Sequence, residues 1–334
     1  MINQKINFTR WSLVLIFLVS TSFLSCKNDK KDALKNSQTE VDSTSQDSVF
    51  FKLSLAQWSL HQPIMSGKMN PMDFAQKASE MGFEGLEYVT TFYGERVKSA
   101  KDPAAEMKIV LDSIKLMSDK YGMRNVLLMV DGEGDLAAND SGARNQAVEN
   151  HKKWVDAAQF LGCHSIRVNL FGSEDPTEWK NNSADALSKL SGYAAEKNIN
   201  VIVENHGYLS SNIDLLVEVM KQVGKDNCGT LPDFGNFCLK RENGERWEAA
   251  CIEEYPRYEG IEKMMPYAKA VSAKSYDFDE SGEETIMSYE KILKIVKDAG
   301  YTGFIGVEYE GSRLSPEEGI NATKELLLTS AEKL

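Results

Sequence analysis

Positive charge is in short supply. The 334 residues carry 38 Lys and Arg against 50 Asp and Glu, a formal net charge of −12. A nucleic-acid surface needs clustered Lys and Arg to neutralise phosphates, so that class of partner is excluded, and the acidity is read as solubility. Histidine is scarcer still: His61, His151, His164 and His206 are all there are, too few for a metal centre built mainly of imidazoles. None of the five cysteines stands in CxxC spacing, which removes a thiolate metal site. No glycine-rich fingerprint follows an early strand, which argues against a doubly wound dinucleotide fold. No basic cluster or Gly-rich loop offers a cradle for phosphate either. The long apolar run, Trp11 to about Val19, is too short to span a bilayer of roughly 30 Å.

That run has another use. "MINQKINFTRWSLVLIFLVSTSFLSC" places Lys5 and Arg10 before the apolar segment and small residues before Cys26, the layout of a secretory signal peptide over residues 1–25. The stretch "FLSC" resembles a bacterial lipoprotein signal. The resemblance implies lipidation of Cys26 and attachment to a membrane through that anchor, on the periplasmic face or outer membrane. Residues 26–50 are polar and read as a flexible tether. Export makes a Cys238–Cys251 disulfide feasible, stabilising by ~3 kcal/mol in the chain-entropy model, with buried free thiols as the alternative.

From residue 51 a rhythm sets in. Short apolar segments occur at 53–61, 83–89, 125–131, 165–171, 200–206, 228–234, 270–276 and 304–310, each a strand by length and by β-branched or aromatic content. Helix-period stretches lie between them, with Pro71 just inside one start and Gly82 and Gly300 just past two ends. Eight strand–helix rounds predict one α/β domain, a (β/α)8 TIM barrel over 51–334. In such a barrel the chemistry sits at the C-terminal ends of the strands.

Those ends are polar. Strand by strand they carry His61; Glu87; Asp131; Asn169; Glu204 and His206; Asp233 with Asn236; Lys274; and Glu308 with Glu310. Strand residues alternate faces, so Ile202, Glu204 and His206 share one face while Val201, Val203 and Asn205 share the other. If Ile305 and Val307 face the helices, Glu308 points into the barrel mouth. Converging carboxylates repel one another unless a cation sits among them. A divalent ion such as Mn2+, Mg2+, Co2+ or Zn2+ suits oxygen donors with at most one imidazole.

"VIVENHG", "LPDFGN" and "FIGVEYEG" resemble the sugar phosphate isomerase/epimerase superfamily, the xylose-isomerase-like barrels, over residues from about 50 to 334. In that family Glu, Asp, His and Glu after strands five to eight bind one divalent metal. Glu204, Asp233 and Glu308 match; Ser272 stands where the His belongs, so water, substrate or His206 would complete the shell. The resemblance implies proton abstraction beside a carbonyl through an enediolate, with Glu204 and Glu308 as acid/base pair and Lys274 assisting. His61, Glu87, Asn169, His206 and Asn236 would hold substrate hydroxyls, and Trp58 and Phe237 are candidate ring contacts. A neutral sugar or keto-sugar is the expected substrate of an isomerase or epimerase. A lyase or dehydratase acting on a keto-sugar or keto-glycoside is the alternative, and a non-catalytic sugar-binding lipoprotein the second. Endonucleases of the superfamily, with many His ligands, fit poorly. Oligomeric state stays open, a homo-oligomer included.

Overall fold

The computed structural model describes residues 49–334 other than 245, 246 and 248. The expected signal peptide, Cys26 and nearly all of the tether lie outside the described residues. Among the described residues ten strands occur in the order β1 Lys52–Ala56, β2 Gly85–Val89, β3 Arg124–Val130, β4 Ser165–Val168, β5 Asn200–Glu204, β6 Cys228–Leu231, β7 Cys238–Arg241, β8 Cys251–Glu254, β9 Val271–Ser275 and β10 Phe304–Tyr309. Eight of them form one parallel sheet, β6-β5-β4-β3-β2-β1-β10-β9. Parallel bridges from Thr230 to Ala268 and from Asp233 to Ser272 join its two ends. This is the expected barrel; six of its eight strands fall within the segments read from the sequence, and β1 and β3 each begin one residue earlier.

Helices α1 His61–Met65, α2 Phe74–Glu80, α3 Thr91–Lys98, α4 Pro103–Lys120, α5 Ser141–Leu161, α6 Pro176–Ala195, α7 Ile213–Val223, α8 Arg257–Met264, α9 Tyr289–Asp298 and α10 Pro316–Glu332 connect the strands. Their starts are specified locally. Asp102, Asp140, Asp175, Ser288 and Ser315 each accept a first-turn backbone N–H, satisfying donors that a helix start leaves orphaned.

Two apolar layers result from strand alternation. Val201, Val203, Ile305 and Val307 face the helices in the large outer core. Ala56, Val89, Leu127, Met129, Ile202 and Leu231 plug the barrel interior as a separate cluster. Ile202 therefore points inward, and Glu204, two residues on, points inward at the mouth.

One carboxyl lies deeper. Glu87 on β2 is 1% exposed; its Oε1 accepts from the Ser54 hydroxyl at 2.6 Å, and its Oε2 has no hydrogen-bond partner. Gly306 on β10 makes the room, because a Cβ there would lie 2.5 Å from both Glu87 oxygens. Burial pushes Glu87 up to about 8, against the Ser54 hydrogen bond and with help from Glu308 and Glu204.

The sequence reading did not anticipate the hairpin of β7 and β8, inserted between the sixth and seventh barrel strands and antiparallel. Cys238 and Cys251 are disulfide-bonded across it, with Cα atoms 5.8 Å apart, while Cys163 and Cys228 are free and buried. No helix among the described residues is long and apolar enough to cross a membrane.

Glu87 generates a stability test. Its folded value of about 8 lies above the ordinary 4.5, so between those pH values the folded chain holds a proton that the unfolded chain has released. Stability due to this group is full below about 4.5 and falls as pH rises through about 8. Glu87→Gln keeps an oxygen for Ser54 and removes the titration. Urea unfolding at pH 8.5 should show the variant more stable than wild type by on the order of 2–5 kcal/mol, with little difference near pH 5. Parallel behaviour of the two proteins at both pH values would contradict the assignment.

Candidate active site

At the C-terminal mouth the strand ends converge on a cavity of about 810 Å³, whose lining includes Trp58, Asp131, Arg167, His206, Asn236, Glu308 and Glu310. Glu204, Asp233 and Lys274 lie directly behind that lining, each bonded to a member of it. Glu204 Oε1 accepts from Asn236 Nδ2 at 3.0 Å, and Glu204 Oε2 lies 3.0 Å from Arg167 Nε. That approach is an ion pair off the N–H axis, since Nε makes no formal hydrogen bond. The Arg167 guanidinium also donates to Asp131 at 2.8 Å.

Asp233 is fixed from three sides. Its Oδ1 accepts the backbone N–H groups of Gly235 and Asn236, both at 2.8 Å, and its Oδ2 accepts from the Ser272 hydroxyl at 2.7 Å. Ser272 Oγ also lies 3.2 Å from Glu308 Oε2. Lys274 Nζ donates to Glu308 at 2.8 Å and to Glu310 at 3.0 Å. Gly235 admits this packing, because a Cβ there would fall 2.6 Å from Lys274 Cγ and from Tyr276 Oη. Asn205, on the opposite face from Glu204, accepts the Asp233 N–H and donates to the Asp233 and Asn236 carbonyls. It sets the turn that presents Asp233.

Electrostatics follow from burial. Burial pushes Glu204 up to about 7; Arg167 opposes the rise and Glu308 adds to it. Asp233 is likewise pushed up to about 7 by burial, with Lys274 opposing and Glu204 and Glu308 adding. Burial works against the Lys274 charge, but Glu308, Glu310 and Asp233 together hold the ammonium well above its ordinary range. At the rim, burial disfavours the charges of Asp131 and Glu310, yet Arg167 holds the first low and Lys274 the second.

Burial, with Arg167 and Lys274, drives His206 down to about 4, so its imidazole is neutral at pH 7. Its Nδ1 is 2.7 Å from Asn169 Oδ1. Asn169 Nδ2 in turn donates to Asp131 at 2.5 Å. With Nδ1–H spent on Asn169, the Nε2 lone pair is the free one.

Of the residues selected from the sequence, His206, Asn236 and Glu308 line the cavity, while Glu204, Asp233, Lys274 and Asn169 stand behind them. His61 does not reach the lining. It stacks on Trp58 at 4.7 Å and spends Nδ1 on the Trp58 carbonyl. Glu87 sits in the barrel interior, below the mouth. Phe237 is fully buried in the outer core, so it packs rather than contacting a ligand, whereas Trp58 does line the cavity and donates to Glu310. Arg167 was missed. A charged residue two places before Asn169 in strand β4 shares its face by alternation, and that spacing was the available signal.

Among the described residues no group of three or more His, Cys, Asp or Glu stands in metal-holding geometry. Lys274, Arg167 and the Ser272 hydroxyl occupy positions between the carboxylates. The donor set nonetheless fits a hard divalent ion in kind: Glu204, Asp233 and Glu308 are buried oxygen donors, and burial, with neighbouring carboxylates adding, drives the first two up.

Comparison with known proteins places this geometry. A 57-residue stretch is 40% identical to the 3'-dehydrocarminate deglycosidase alpha subunit of a Microbacterium species, spanning 17% of this chain and 16% of that protein. Solved structures align over most of the barrel. A sugar phosphate isomerase/epimerase from Parabacteroides distasonis aligns with TM-score 0.62 at 17% identity, covering 86% of this chain and 97% of that one. An IolI protein with a binding zinc atom gives 0.61 at 16%, covering 85% and 99%. The 3-keto-D-glucoside 4-epimerase of E. coli gives 0.61 at 13%, covering 84% and 99%. At such identities the likeness is one of fold. The family assignment comes from residues 75–329, which match the family described as Xylose isomerase-like TIM barrel. The chain belongs to the xylose isomerase-like TIM barrel family.

Proposed function

We propose that this barrel is a carbohydrate isomerase or epimerase acting by proton transfer at carbon next to a carbonyl, on a non-phosphorylated sugar or keto-sugar. The carrying observation is the buried mouth cluster, where a carboxyl held near 7 stands beside a fixed ammonium, a guanidinium and a neutral imidazole. A carboxyl with a value near the working pH both takes and returns a proton efficiently. Glu204 is the base, and Glu308, across the mouth, is its acid partner. Lys274 has three N–H donors and uses two on Glu308 and Glu310, leaving one for an oxygen that gains negative charge. Asn236 and His206 Nε2 face hydroxyls. The sugar phosphate isomerase/epimerase and 3-keto-glucoside epimerase folds support the reaction class.

Glu204, Asp233 and Glu308 would hold one divalent ion, Mn2+, Mg2+, Co2+ or Zn2+, with Ser272 in place of an imidazole ligand. Once bound, such an ion supplies Lewis-acid polarisation of the carbonyl and its neighbouring hydroxyl. Elimination from a keto-glycoside is the second reading, favoured by the short match to a deglycosidase subunit. The N-terminal segment is proposed as a lipoprotein signal with lipidated Cys26. Mass spectrometry should find the mature chain starting at an acylated Cys26, and retention of residues 1–25 would refute it.

The reaction is tested by incubating candidate ketoses and keto-glycosides with the protein in D2O. Deuterium should enter beside the carbonyl, and Glu204→Gln should slow its entry by about 100-fold or more. A new double bond or released aglycone identifies the eliminating reading. Measurable binding without any exchange identifies a sugar-binding module and defeats the proposal. Protein purified without chelator should carry about one divalent ion per chain, lost in both Glu204→Gln and Asp233→Asn. Unchanged occupancy in both variants would defeat the ligand assignment.

A further inference from the structure

We propose that the disulfide-bonded hairpin β7–β8 builds a second-ring subsite, so that the mouth takes a two-ring glycoside in preference to a free monosaccharide. This deepens the reading above and rests on it. Cys238, Arg241, Trp247, Cys251 and Glu254 of the hairpin and its loop all line the same cavity as Glu308 and His206. Trp247 is 44% exposed and packs against two other rings. Its ring lies 4.7 Å from His206 at 42° and 5.9 Å from Phe171 nearly edge-on at 78°. The Gly244 carbonyl accepts from Tyr208 Oη at 3.3 Å.

A second aromatic wall stands opposite. Trp58 follows β1 and His206 follows β5, which are four strands apart in an eight-strand ring. Trp58 is stacked on His61 at 4.7 Å and 12° and on Phe92 at 5.9 Å and 8°, which holds it rigid, and it also lines the cavity. The proton-transfer cluster thus shares the cavity with two aromatic side chains, Trp58 and Trp247. A single hexose has about twelve non-hydrogen atoms, while cavities of about 300–1,000 Å³ hold drug-sized ligands. At about 810 Å³ the mouth has room for a second ring beside the reacting one. The Cys238–Cys251 bond fixes the hairpin before the ligand arrives, which lowers the ordering cost of binding. The occupant is a flat-faced ring, either an aromatic aglycone or a second sugar.

Calorimetry on the intact chain tests this without relying on turnover. The probes are a keto-sugar that exchanges in D2O and has its ketone on a ring carbon other than the anomeric one, its phenyl glycoside and a disaccharide containing it. At least one two-ring probe should bind about tenfold tighter than the free keto-sugar. That preference should fall below about threefold in Trp247→Ala and be largely retained in Trp247→Phe. A phenyl glycoside that binds best identifies an aryl aglycone, and a disaccharide that binds best identifies a second sugar. Equal affinity for the keto-sugar and both two-ring probes, or a preference untouched by Trp247→Ala, overturns the subsite while leaving the parent reading standing. Failure of every sugar to exchange and to bind overturns both.

Discussion

Burying more negative than positive charge at one barrel mouth is the constraint on which the site depends. Asp131, Glu204, Asp233, Glu308 and Glu310 share the mouth with two buried cations, Arg167 and Lys274, Glu87 lies beneath, and Arg241 and Glu254 of the hairpin line the same cavity. A charge taken out of water is tolerated only when paired, shifted to its neutral form, or both. The structure uses both. Rim carboxylates that meet a cation head-on, Asp131 and Glu310, stay low, while the deeper Glu204 and Asp233 rise toward neutrality. Burial that leaves Glu204 and Asp233 near neutrality is the feature that supports the proposed metal-holding and proton-carrying roles.

Rigid surroundings keep that imbalance from relaxing. The interior plug of Ile202, Leu127 and Met129 holds the strands below the mouth, so Glu204 cannot withdraw. Asn205 ties the Asp233 turn from behind, and Gly235 and Gly306 admit side chains that a Cβ would expel. Around the rim, the disulfide-bonded hairpin closes one side with Trp247, and the turn after β1 closes the other with Trp58.

Most of this was legible in the chain. Strand periodicity gave the barrel, and alternation along "NVIVENH" put Glu204 inward and Asn205 outward. What escaped depended on contacts between distant segments. Glu87 sits a layer lower than its place near a strand end suggested, because only Gly306, 219 positions on in the chain's own numbering, opens the space for it. His61 spends its ring on Trp58, a local bond that a strand-end reading does not reveal. Arg167 was hidden inside strand β4, although its spacing from Asn169 pointed the same way. The hairpin was invisible because its strands are short and its cysteines admitted two readings.

Burial, opposed by Arg167 and Lys274, leaves the Glu204 and Asp233 carboxyls near neutrality. Carboxyl-carbon NMR titration of chelator-treated protein, with Glu204→Gln and Asp233→Asn used for assignment, measures it directly. Glu204 and Asp233 should titrate with midpoints near 7, and both should move down when Mg2+ is added. Midpoints for both in the ordinary carboxylate range, below about 5, would contradict this.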